Sequence, residues 1–131
     1  MKRYLCGILF VLSILSIGSF ASGQTLQRQD ETGVVEFNEP VRLLGVTLQG
    51  RYLFLHHEGM MRRGKPCTYV FSLSGESPGR LILSFHCIPV PSARVDQLTL
   101  RFSGRSLGSN LPEILEIQFP GSTRSHKVPV P

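Results

Sequence analysis

The residues best equipped for chemistry crowd into one stretch, Leu55-His56-His57-Glu58-Gly59-Met60-Met61-Arg62-Arg63-Gly64-Lys65-Pro66-Cys67. With His86 and Cys87 it gathers three of the four histidines and two of the three methionines. Imidazole, thioether and thiolate are the donors that hold copper or zinc. A site drawing on His56 or His57 with Met60, Met61 and His86 is therefore one reading, copper first and zinc second. The spacing matches no zinc template built from paired CxxC units. Adjacent histidines on an extended strand also point to opposite faces, so only one of His56 and His57 can enter a given site.

Of the three cysteines, Cys6 lies near the start, and Cys67 and Cys87 lie in the body of the chain. The start has the layout of a secretory leader. Lys2 and Arg3 are followed by an apolar run from Ile8 to Phe20, then by Ala21, Ser22 and Gly23. Cation, apolar core and small-residue exit in that order define a cleavable signal. The run is shorter than the ~20 residues a spanning helix needs. Residues 1–23 are thus expected to be removed, with Cys6 among them, and no later run is long enough to span a membrane. The protein is expected in the periplasm or outside the cell. Two cysteines in an exported chain read first as a disulfide, Cys67–Cys87. Closing about 20 residues would stabilise the fold by roughly 3 kcal/mol in the chain-entropy view.

The elements that must position these groups read as strands. Residues 24–32 are polar and aperiodic, a flexible lead-in. From there Gly, Pro, Ser and Asn punctuate short runs rich in Val, Leu, Ile, Phe and Tyr. That rhythm predicts an all-β domain over 33–131, a small antiparallel β-sandwich of seven or eight strands. The expected strands are 34–37, 41–48, 51–57, 67–74, 80–87, 95–102 and 113–119, with a short edge strand near 126–129. Asn38 and Pro40 are expected to turn the first into the second, Gly50 to bend the second into the third, and Pro89 and Pro91 to stop the fifth. Alternation puts Leu98, Leu100 and Phe102 on one face, and likewise Leu115, Ile117 and Phe119.

Between 67–74 and 80–87 lies Ser74-Gly75-Glu76-Ser77-Pro78-Gly79, a strong turn signal. A hairpin centred on Ser77 sets Leu73 against Leu81, Phe71 against Leu83 and Tyr69 against Phe85. All are apolar on one face. The same register sets Cys67 against Cys87, within the span a disulfide tolerates. It turns His86 to the other face, opposite Thr68.

Composition excludes some functions. The chain has 14 basic and 9 acidic side chains, with Lys2 and Arg3 in the leader. The rest are scattered apart from Arg62, Arg63 and Lys65, a balance too mild for a nucleic-acid partner. That basic turn could meet an anion or an acidic partner, such as another envelope or extracellular protein; otherwise it is a solvated hairpin tip. No GxSxG or HExxH motif is present, and a Cys87–His86 dyad fails on alternation. A non-enzymatic module without a cofactor, structural or binding in role and stabilised by the disulfide, is the first expectation; the metal-binding protein is the alternative. A redox-active dithiol is a third. The HHExMMRRGKPCT segment (56–68) and SFHCIPV (84–90) resemble small secreted bacterial proteins of uncharacterised function. The likeness runs from Pro40 to Ser103, about half of the chain. It implies export and marks the Cys67/Cys87 region as distinctive, and it carries over no activity.

Overall fold

The structure is a computed structural model that describes residues 30–104 and 110–129. The expected leader and most of the lead-in lie outside them. The described residues form eight strands in two antiparallel four-stranded sheets, as the turn rhythm predicted. Sheet A holds β1 (Glu31–Leu43), β2 (Val46–His56), β3 (Thr68–Ser74) and β4 (Ser77–Phe85) in sequence order. Sheet B holds β5 (Ile88–Pro91), β6 (Thr99–Phe102), β7 (Ile114–Gln118) and β8 (Arg124–Lys127) in the order β5-β8-β7-β6. One helical turn, α1 (Glu58–Met61), joins β2 to β3. Phe37, Leu43, Leu48, Phe54 and Val70 of sheet A pack with Ile114, Ile117 and Phe119 in the core.

The first hairpin turns elsewhere than expected. β1 runs straight through Asn38 and Pro40, which form a bulge between Phe37 and Val41. A bulge accommodates a proline because the ladder is already interrupted there. Gly50 lies inside β2, opposite Phe37. The actual turn is Leu44-Gly45, with φ of 49° and 80°. Two consecutive left-handed residues twist a two-residue loop to match its strands. β1 also starts at Glu31, inside the expected lead-in, and that residue proves central to the site.

The β3–β4 register departs from the symmetric one. Thr68 faces Phe85, Tyr69 faces Ser84 and Val70 faces Leu83, after which two irregularities shift the pairing to Phe71–Leu81 and Leu73–Pro78. Cys67 and Cys87 lie just outside the ladder rather than opposite each other in it. The core face of β3 is Thr68 and Val70, while Tyr69, Phe71 and Leu73 are half-buried on the outer face. A one-residue slip exchanges the faces of a strand. Both faces here are apolar enough that pattern alone selected the wrong one.

Sheet B also differs in detail. β5 forms across Pro89 and Pro91, where a stop was expected. It is an edge strand, the place a sheet tolerates proline. β8 is interior, between β5 and β7. Only Thr99–Phe102 of the expected 95–102 strand pairs, and a bulge at Arg101/Phe102 leaves Phe102 exposed. Leu98 and Leu100 pack on the core as predicted, and Ile117 and Phe119 are buried. Gln118, expected on the wet face, is buried too, because the 92–98 segment covers it. Its amide donates to the carbonyls of Ala93 and Ser122 at 2.6 and 3.0 Å and accepts from Ser92.

Candidate metal centre

Inward alternation along β2 runs through Leu48, Tyr52 and Phe54 and ends on His56. The register makes Glu31 and Thr68 its direct neighbours on β1 and β3. Glu31, His56, Thr68 and Phe85 therefore form one inward row across all four strands of sheet A. Sheet B contributes His126 from β8, paired with Ile117 on β7. Cys87 sits on the two-residue step by which the chain leaves β4 for β5 and changes sheets. His56, Cys67 and His126 are at most 1% exposed, and Cys87 is 4% exposed.

These elements bring together one ring nitrogen of His56, the Cys87 sulfur and one ring nitrogen of His126, all within 4.8 Å of one another. Cys87 Sγ lies 3.4 Å from His126 Nδ1. Ligand bonds of about 2.3 Å to sulfur and 2.05 Å to nitrogen at a tetrahedral angle place the two donors about 3.5 Å apart. That edge of the triangle already has a liganded dimension; the site as a whole is about an ångström looser. His56 and His126 are 4.0 Å apart between ring centroids, and Phe119 packs against both at 6.0 and 5.7 Å.

Glu31 organises the pair of imidazoles. Its Oε2 lies 3.0 Å from His126 Nε2 and 2.9 Å from His56 Nδ1. The first contact selects the Nε2–H form of His126 and leaves the Nδ1 lone pair facing the sulfur. The second is close but poorly aligned for a hydrogen bond, and His56 Nε2 has no protein partner although it is buried. A carboxylate on the far nitrogen of a histidine is the usual way a metal-binding imidazole is oriented. Burial pushes the Glu31 carboxyl up. Close contacts with His126, His56 and Ser122 outweigh that and hold it well below its ordinary value of 4.5.

The second cysteine stands apart from this triangle. Cys67 Sγ is 2.9 Å from Cys87 Sγ, and both are free thiols in the structure. The Cys87 backbone N–H donates to Cys67 Sγ at 3.2 Å. The sulfurs are about 0.9 Å further apart than in a disulfide. They are also closer than two thiolates on one tetrahedral ion, which lie roughly 3.8 Å apart at 2.3 Å bonds. Burial first, and then the Cys67 thiol, push the Cys87 thiol up to about 12. A neutral, enclosed thiol is a poor nucleophile. Cys87, His126 and Glu31 lie in the sulfur–imidazole–carboxylate order of a triad, with contacts of 3.4 and 3.0 Å.

Of the residues singled out from sequence, the structure brings His56 and Cys87 into the cluster. His57 turns outward, pairs with Asp30 at 2.7 Å and meets the edge of Tyr69. His86 is exposed, as strand alternation required. Met60 and Met61 pack against the core as apolar side chains. Arg62, Arg63 and Lys65 are exposed on the turn before Cys67. Glu58 instead reaches across to sheet B, where its carboxylate takes both ends of the Arg124 guanidinium at 2.6 and 3.0 Å. That contact raises the pKa of Arg124. Sequence reasoning missed His126 and Glu31. His126 was the one histidine far from the others, and Glu31 fell within an expected lead-in. The row that joins Glu31 to His56 follows only from the β1–β2 register. Comparison with known proteins returns no match to a family model, a curated protein or a solved structure.

Proposed function

We propose that this is an exported β-sandwich protein that binds copper(I) or zinc(II) between its sheets, through His56, Cys87 and His126. The observation that carries this reading is the buried triangle of donors whose two imidazoles each set a ring nitrogen within 3.0 Å of a single Glu31 oxygen. Two imidazoles and a thiolate suit both ions. Metal binding would also supply what the thiol lacks, since a coordinated cysteine gives up its proton whatever its free pKa. The test is titration of the reduced protein with Cu(I) and with Zn(II) against chromogenic chelators. Submicromolar binding of one equivalent, reduced at least 100-fold by His126→Ala and unaffected by His86→Ala, supports the reading. Binding weaker than micromolar, or indifferent to His56 and His126, ends it.

A second reading has its own support. Cys67 and Cys87 face each other at 2.9 Å, and a contraction of about 0.9 Å would make them the structural disulfide of an exported binding module. Intact mass of the secreted protein, before and after reduction and alkylation, reports both the bridge and the loss of residues 1–23. Two free thiols in freshly exported protein would sink the bridge, and a mass retaining Met1 would sink export by cleavage.

A further inference from the structure

We propose that Cys67 is a redox gate on the metal site, a residue that withdraws Cys87 from the ion by bonding to it and is not itself a ligand. The proposal rests on the metal-binding reading above and deepens it. Two distances carry it. Cys87 Sγ is 3.4 Å from His126 Nδ1, the spacing of two donors that share an ion. It is 2.9 Å from Cys67 Sγ, too close for two thiolates on one ion and one short contraction from a bond. The same sulfur therefore faces two competing partners. Cys87 is the one sulfur in the triangle, and Cys67 is not part of it. Bridging thus removes the sole thiolate and leaves two imidazoles, a far weaker site for Cu(I) or Zn(II).

The step balances against a disulfide of the surroundings, R–S–S–R. In the metal-free protein both thiols lose their protons, a Cys67–Cys87 bond forms, and R–S–S–R takes up two electrons and two protons to leave as two R–SH. In the loaded protein Cys87 is already a thiolate. The products are then the bridge, the released ion, one R–SH and one R–S⁻. Access runs through the segment before Cys67. The exposed 62–65 turn leads directly into it, and the His57 N–H to Cys67 carbonyl bond of 2.8 Å closes the base of that segment. Opening this unit together with the Cys67 N–H to Phe85 carbonyl bond of 3.1 Å would uncover the Cys67 thiol from the end of the β3–β4 pair, leaving the rest of the sheets in place. Cys67 is then the sulfur that meets the external disulfide, and Cys87 resolves it.

The experiment compares wild type, Cys67→Ala and the near-isosteric Cys67→Ser, each loaded with Zn(II) or Cu(I) under reduction. Each is then exposed to oxidised glutathione at stepped ratios, with metal release read by chelator and thiols by intact mass. The gate predicts equal binding within about threefold for all three reduced proteins. It predicts release from wild type in step with a two-hydrogen loss of mass, and retention by both variants at the same ratio. Release from the variants as well, retention by bridged wild type, or no bridge at any ratio overturns it. Variants that bind more than tenfold weaker when reduced make Cys67 a ligand, which also overturns the gate while the metal reading stands. No binding by reduced wild type is the separate failure of the metal reading itself.

Discussion

A carboxylate that holds two imidazoles at once sets the character of this site. Replacing Glu31 by Gln keeps the shape but removes the charge that orients both rings. Metal affinity is expected to fall about 10- to 100-fold, the usual cost of losing such a partner, measured by chelator competition. The same residue links stability to acid. Its carboxyl is held below its ordinary value of 4.5 in the fold, so its contribution is complete above that pH and is lost as the pH falls. In the metal-free protein, the gap in urea midpoint between wild type and Glu31→Gln should hold from neutral pH to about 4.5 and narrow steadily below it; a gap of the same size at pH 3 as at pH 7 would contradict the assignment. Cys87 acts at the other end of the scale. Its thiol is raised to about 12 in the folded state, so the reduced, metal-free protein should lose stability as the pH climbs from about 9. Cys87→Ser should flatten that slope. His56 was legible from alternation along β2, since it continues the Leu48, Tyr52 and Phe54 face. His126 was not, because Ser125 and His126 are both buried on β8 and a period of two cannot produce that.

At the scale of elements, the strands were legible where turn residues and alternation agreed. They were not where a proline or glycine marks a bulge. Pro40 and Gly50 read as turns, yet they face an irregularity inside the β1–β2 pair, while the true turn at Leu44-Gly45 hides in an apolar run. β3 misled for a different reason. Its outer face carries Tyr69, Phe71 and Leu73 beside Leu53 and Leu55 of β2, so apolar matching favoured the wrong side. The core side of β1 has a tight spot that sequence does not disclose. A Cβ on Gly33 would come within 2.8 Å of the Leu98 side chain. Gly33→Ala is expected to destabilise by about 1–3 kcal/mol through overpacking, read from the urea midpoint. Truncating Leu98 to Ala in the same chain removes the two methyl contacts but leaves its Cβ 3.0 Å away, so adding Gly33→Ala to Leu98→Ala should cost less than adding it to wild type, without becoming free.

For the whole molecule, the site is a tie between layers. Glu31 and His56 belong to sheet A, His126 to sheet B, and Cys87 to the two-residue step that crosses between them. The Glu58–Arg124 pair makes a second link at the same end, on the surface. An ion held by both sheets binds only when they are packed, so ligation adds to global stability by mass action. At a free metal concentration 100 times the dissociation constant the gain is about 2.7 kcal/mol. The thermal midpoint should therefore rise with added Zn(II) in wild type and stay fixed in His126→Ala. A midpoint that rises equally in both would place the ion elsewhere.

The prolines of β5 have a bearing on how copies of this protein meet. The Ser92 N–H donates to the Thr123 carbonyl at 2.9 Å, which directs the even-numbered amides of this strand toward β8. The odd-numbered positions then face outward, and they are Pro89 and Pro91, neither of which has an amide hydrogen. The β5 rim of sheet B is in this way stripped of donors at both places where another chain would dock a strand along it. Restoring them with Pro89→Val and Pro91→Val should leave the fold intact and convert a guarded rim into an adhesive one. The expected sign is concentration-dependent self-association in light scattering, at concentrations where the parent chain shows none.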